Sequence, residues 1–188
     1  MAIKPQIRFL KEMKNVLYGR KWAKTAPNLK LYYIYRNVKR KGELRYDITV
    51  IPPKMLGDEF VKTKGNRNSN KYPEVYTVLQ GQAFFLMQKV KGKTVKDVFL
   101  SKLKRGNWII VPSDYYVVAI NPSKKTLKTG NWVSNKNKNI YEAVKKMKGA
   151  CYFYTKNGWI KNKNYKKIPK LKTKKPLKKA PKDLSFLK

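Results

Sequence analysis

Between residues 31 and 120 the chain repeats one pattern, a short run of aromatic or β-branched residues followed by a turn residue. The runs cover 31–35, 44–51, 75–79, 83–90, 95–100, 108–111 and 115–120. They are separated by Lys41-Gly42, Pro52-Pro53, Gly81, Gly92, Gly106-Asn107 and Asn121-Pro122. Several short runs at such spacing predict a mainly β, antiparallel sandwich or barrel. A short helix is expected next, with Ile140, Ala143, Val144 and Met147 on one face. A hairpin then runs from Ala150 to Tyr154 and turns at Asn157-Gly158 into Trp159 and Ile160.

The ends read differently. Ile7, Leu10, Met13, Val16 and Leu17 recur near helical spacing, with Arg8, Lys11 and Lys14 between them and Gly19 as a stop, which predicts a short basic helix over residues 5–18. Residues 20–30, carrying Arg20, Lys21, Lys24, Pro27 and Lys30, read as a loop or arm. Residues 161–188 hold twelve Lys, one acid (Asp183) and three prolines (Pro169, Pro176, Pro181), a composition expected to build no core. The chain thus divides into a basic helix and arm (1–30), a β-barrel domain (31–160) and an extended Lys/Pro tail (161–188).

Charge narrows the function. The 188 residues include 46 Lys and Arg against 10 Asp and Glu, a net +36. An excess of that size repels itself and weakens a compact state unless an anion neutralises it. Hydrophobic residues at 41% still suffice for one core, so disorder throughout is excluded. A polyanion is the expected partner. Membrane binding would need an apolar anchor or a strongly amphipathic basic helix, and no run approaches transmembrane length. Lys4, Arg8, Lys11 and Lys14 interrupt the first residues as no signal peptide would, so a cytoplasmic location is expected. Cys151 is the sole cysteine and no histidine is present to activate it, so it reads as a small buried hydrophobe.

Thr63-Lys64-Gly65-Asn66-Arg67-Asn68, followed by Tyr72-Pro73-Glu74-Val75-Tyr76 and, after a short strand, Gly81, resembles the archaeal cupin-type glucose-6-phosphate isomerases. Arg105-Gly106-Asn107-Trp108-Ile109-Ile110-Val111-Pro112, Asn121, Tyr141 with Val144, and Asn157-Gly158 extend the resemblance over roughly residues 31–160. It implies a cupin-like antiparallel double-stranded β-helix, a jelly-roll barrel, with the short N-terminal helix and the basic extensions added. The family's metal is held by three His and one Glu, and the matching positions here are Asn66, Asn68, Glu74 and Val117. Thr63 and Gly65 match positions that contact the sugar phosphate. Only the carboxylate remains of the ligand set, and amides hold transition metals poorly. From this we expect no bound metal or cofactor, no catalytic residues and no small-molecule substrate: a degenerate pseudoenzyme. Glu74 is expected to survive as an ion-paired remnant beside Lys64 and Arg67.

The expected function is non-catalytic RNA binding by a ribosomal or ribosome-associated protein, with ribosomal RNA and neighbouring ribosomal proteins as partners and no membrane. Only seven of the basic residues are Arg; Lys acts on phosphate as a point charge, whereas base readout favours Arg, so backbone recognition is expected. The residues expected to carry it are Lys21 and Lys24 in the arm, and Arg36, Lys39, Arg40 and Lys41 around a core loop. In the tail they are Lys161, Lys163, Lys166, Lys167, Lys170, Lys172, Lys174, Lys175, Lys178, Lys179 and Lys182. The tail prolines favour an extended thread between RNA helices. Tyr32, Tyr33, Tyr35, Tyr115 and Tyr116 are candidates for stacking on bases but fit core positions better. The alternatives are a sugar-phosphate binding protein or isomerase, and a non-specific DNA-binding protein.

Overall fold

In the computed structural model, which describes residues 3–69 and 72–188, two sheets face each other, antiparallel except where the last strand of the second pairs in parallel. Along the chain the strands are β1 (Gln6–Phe9), β2 (Lys30–Lys41), β3 (Leu44–Ile51), β4 (Met55–Leu56), β5 (Glu59–Phe60) and β6 (Arg67–Asn68). They continue with β7 (Glu74–Gln80), β8 (Gln82–Lys91), β9 (Thr94–Lys104), β10 (Trp108–Val111) and β11 (Tyr115–Ile120). The last are β12 (Leu127–Ser134), β13 (Asn139–Ile140), β14 (Tyr152–Thr155), β15 (Gly158–Lys161) and β16 (Lys172–Thr173). The first large sheet has the order β1-β2-β3-β12-β7-β10 and the second β11-β8-β9-β16, the arrangement of a cupin-like barrel.

Alternation along β8 shows how the layers form. Ala83, Phe85 and Met87 point into the barrel, where they meet Ile34, Ile51, Val78, Ile109 and Leu127 from the first sheet. Leu86 points the other way, into a second cluster with Val118, Ile120, Cys151, Tyr152 and Tyr165. The second sheet is therefore covered on both faces, its outer one by α2 (Glu142–Lys146), the β14–β15 hairpin and the start of the tail. The expected helix and hairpin are both present, and Cys151 is fully buried. Burial pushes its thiol up to about 12.

The N-terminal helix expected over residues 5–18 is corrected. Gln6–Phe9 forms β1 on β2, and 3-10 turns follow at Leu10–Glu12 and Lys14–Val16. Leu10, Met13 and Val16 recur every third residue, the period of a 3-10 helix, so one face is buried without an α-helix. The arm is corrected too, since Arg20–Thr25 is the short helix α1 with Ala23 in the core. Lys39, Arg40 and Lys41 lie in no loop; they end β2 and pair with β3.

The pattern reading missed β12, a central strand between β3 and β7. Its inward residues include Thr129 and Asn131, which line a polar cavity, so hydrophobic alternation is lost. Gly130 points outward beneath Tyr46, where any Cβ would collide with the Tyr46 ring and hydroxyl.

The tail is a strap, contrary to the expectation that it adds nothing to a core. Tyr165 is buried, its hydroxyl accepting from Gln88 (2.9 Å) and donating to the Gly149 carbonyl (3.1 Å). β16 then extends the second sheet beyond β9, and Leu177 exchanges backbone hydrogen bonds with Trp108 of β10, the edge of the first sheet. The chain ends with Leu187 buried against Leu44 and Val75. One segment thus covers two sheet edges that would otherwise be unpaired. Among the described residues no helix is long and apolar enough to cross a membrane.

Candidate functional site

The barrel interior holds a cavity of about 50 Å³, enough for roughly three or four waters. Its polar lining comes from β2, β3, β7, β12 and the segment before β6: Arg36, Arg45, Thr63, Lys64, Glu74 and Asn131. Asp47, fully buried, organises the two arginines. It accepts from Arg36 Nη1 (2.6 Å), Arg45 Nε (3.1 Å) and the Asn37 backbone N–H (2.9 Å). Charge-assisted bonds of this kind fix the guanidinium planes. Glu74 is 4% exposed and accepts from Asn131 Nδ2 at 2.9 Å. Burial raises its pKa, partly offset by the Tyr76 hydroxyl and the more distant Arg36 and Arg45. The expected ion pair of Glu74 with Lys64 or Arg67 does not form among the described residues. Lys64 instead lies over the Tyr141 ring (5.6 Å), and Arg67 over Tyr116 (5.8 Å). Burial and the neighbouring Arg8 and Lys145 lower the Lys64 pKa.

Three of the four positions that match the isomerase metal ligands, Asn66, Glu74 and Val117, converge on the cavity, and Asn68 is not part of its lining. Asn66 bridges to Val117, and both line the cavity with Glu74. Their chemistry does not fit a transition metal. Val117 offers no donor atom. Asn68 is committed on both sides, donating to the Tyr72 carbonyl (2.9 Å) and accepting from Asn137 Nδ2 (2.7 Å). No group of three or more His, Cys, Asp or Glu side chains comes together among the described residues. Thr63 is also engaged, its hydroxyl accepting from the Ala119 N–H. Gly65 has φ +89, and a Cβ there would press on Val118, so the chain turns into the cavity wall only with glycine.

The sequence profile of glucose-6-phosphate isomerase matches residues 24–170, most of the chain. The chain belongs to the cupin-type glucose-6-phosphate isomerase family. The Pyrococcus abyssi glucose-6-phosphate isomerase is 31% identical over 93 residues, which cover 46% of this chain and 49% of the relative. The Thermococcus litoralis enzyme is 27% identical over 128 residues, 65% of each chain. The matches therefore span about half to two thirds of the relatives' length. Among solved structures, an oxalate oxidase is similar at 10% identity and TM-score 0.48, covering 62% of this chain and 57% of that one. Family membership corrects the expectation of a pseudoenzyme without catalytic function, because both relatives bear the name of an enzyme. Residue matching failed there because it weighed a missing ligand set above the retained barrel and carboxylate.

Outside the barrel the family member is coated with cations. Seven of its ten acids are engaged by eight basic side chains, so most basic residues have no acidic partner among those described. Lys21 and Lys24 are exposed on α1, and Lys39, Arg40 and Lys41 are exposed at the tip of the β2–β3 hairpin. Arg36, placed in the nucleic-acid set by sequence, turns into the barrel and is tied to Asp47. Of the tail set, Lys161, Lys163, Lys166, Lys167, Lys170, Lys175, Lys178, Lys179 and Lys182 are exposed. Lys172 pairs with Asp97 and, with the half-buried Lys174, lies over Phe99, which holds β16 in place. Tyr32 and Tyr116 are buried and unavailable for stacking. The structure brings Lys21 and Lys24 together with Lys161 and Lys163 around two adjoining hollows, joined by Lys14, Arg20 and Lys148. Those last three were missed, since no local pattern connects residues so far apart in sequence.

Proposed function

We propose that this member of the glucose-6-phosphate isomerase family binds RNA through its lysine-rich exterior and associates with ribosomal particles. The uncompensated surface charge carries the reading: a barrel this size needs no such excess to stay in solution, and Lys-dominated cations suit phosphate rather than base edges. The protein should co-sediment with ribosomal particles through sucrose at moderate salt. Remaining at the top of the gradient even at low salt overturns the ribosomal reading. Equal capture by duplex DNA of matched length, measured by gel shift, overturns the preference for RNA.

A second reading concerns the barrel, and family membership favours it: the cavity, which holds only a few waters as it stands, would have to widen to take the phosphosugar, and Glu74 would move the proton between adjacent carbons, as aldose–ketose isomerisation requires. A carboxylate buried this deeply with a raised pKa fits a functional acid or base. Its folded pKa lies above its unfolded one, so its stabilising contribution is present at low pH and lost as pH rises through the folded value. Glu74→Gln should therefore melt higher than wild type at pH 7.5, by about 3–9 °C for the 1–3 kcal/mol cost of a buried charge. The difference should close below about pH 4, where both forms are neutral. The same variant should lose fructose-6-phosphate isomerisation in a coupled assay. Wild-type turnover no higher than that of the variant overturns this second reading.

A further inference from the structure

We infer that the two adjoining hollows between α1, α2 and the start of the tail form a binding groove for single-stranded RNA, with Tyr18 as a platform for one base. The inference rests on the RNA reading above and assigns it a place. The first hollow, about 220 Å³, is floored by Leu17, Phe153 and Ile160 and rimmed by Arg20, Lys148, Lys161 and Lys163. The second, about 430 Å³, shares Arg20 and Lys148 and adds Lys14, Lys21 and Lys24. Neither contains an acidic residue, and none of these cations takes part in a salt bridge among the described residues. A continuous cationic track beside an apolar floor is what a polyphosphate backbone with unstacked bases requires.

One further observation points to a ligand at this place. Tyr18 is 43% exposed, yet it is held from below by a buried ion pair. Glu59 and Lys62, 2.5 Å apart and almost without solvent access, bind the loop from both sides. Glu59 accepts the Tyr18 N–H (2.8 Å), and Lys62 donates to the Val16 carbonyl (3.0 Å). Lys62 also sits 4.7 Å from the Phe153 ring centre, and Phe153 lies 5.7 Å from the Tyr18 ring. Burying two charges to fix one exposed tyrosine makes sense when that tyrosine must be presented rigidly. Lys148, just past the end of α2, takes φ +54 as the left-handed residue that caps the helix, with the Gly149 N–H bonding the Val144 carbonyl at 2.8 Å. The cap places this cation at the junction of the two hollows.

The test uses full-length protein and fluorescein-labelled 12-nucleotide oligouridylate and oligoadenylate. Tyr18→Leu, which keeps the backbone bond to Glu59, should weaken both by about tenfold, since stacking tolerates any base. The triple variant Lys21→Gln, Lys148→Asn, Lys163→Gln should lower the salt slope of log affinity by about 2, from roughly 0.7 per lost phosphate contact. Lys148→Asn alone should melt no lower than wild type, which separates lost binding from lost folding. A control triple of exposed residues elsewhere, Lys104→Gln, Arg105→Gln, Lys125→Gln, should leave the slope within about 0.5 of wild type. If wild type binds no RNA, the functional reading fails and takes the groove with it. If wild type binds but both triples behave alike, the groove assignment fails while the RNA reading stands. Full affinity in Tyr18→Leu removes the base platform.

Discussion

Raising monovalent salt from about 50 to 200 mM should lower the affinity of this protein for RNA by about 10³ to 10⁵. Each Lys that settles on a phosphate releases condensed counterions, and the free-energy gain from that release shrinks as bulk salt rises. Six to ten simultaneous contacts suffice for a drop of this size. The seven cations of the groove and the exposed tail lysines offer more than that. Because few of them are Arg, the slope should hardly change with RNA sequence. Fluorescence anisotropy on a structured ribosomal RNA fragment, repeated at five or more salt concentrations, measures it. A slope near zero would mean that the charge serves something other than phosphate and would sink the RNA reading. A sugar phosphate entering the barrel would meet only Lys64, Arg36 and Arg45, so its slope should be far shallower. The two readings thus separate within one kind of measurement.

The barrel was legible in the sequence because its strands alternate. Residues 83–90 carry inward Phe85 and Met87 against outward Phe84 and Leu86, and turn residues mark their ends. β12 was not legible, for its inward positions are polar where they line the cavity and Gly130 is set by a tyrosine from another strand. The N-terminal segment misled because Leu10, Met13 and Leu17 fit the i, i+3, i+7 spacing of an α-helix while Leu10, Met13 and Val16 fit the three-residue repeat of 3-10 turns. The convergence of Asn66, Glu74 and Val117 was readable only through resemblance, whereas the groove needed three-dimensional placement of residues 14–24, 148 and 161–163. Composition shows that the tail is basic. It hid Tyr165 and Leu187, two apolar side chains among twelve lysines, which decide where the tail goes.

Those two residues set the last prediction, that shortening the tail in two steps should separate its structural part from its electrostatic part. Deleting residues 171–188 removes Leu187 from the cluster with Leu44 and Val75, and strips β16 and Leu177 from the two sheet edges. A fully buried Leu is worth about 2–5 kcal/mol, so the melting temperature should fall by about 5–15 °C. Exposed edges should also make the shortened protein prone to self-association, visible by light scattering. Deleting residues 163–188 removes Tyr165 as well. That leaves Gln88 without the partner for its amide and opens the cluster around Cys151. Loss of a buried aromatic costs about 3–5 kcal/mol more, enough to consume most of the stability of an ordinary domain. This longer deletion should give a protein that is largely unfolded at 37 °C by circular dichroism. RNA binding should follow a different order. The shorter deletion already removes seven of the tail's lysines, so the salt slope should drop there while the groove, built from residues 14–24, 148 and 161–163, stays intact. A deletion of 163–188 that melts with wild type would show that the strap adds nothing to the barrel. If the 171–188 deletion keeps the full salt slope, its lysines face solvent, and the cations that meet RNA lie in the groove and on the barrel.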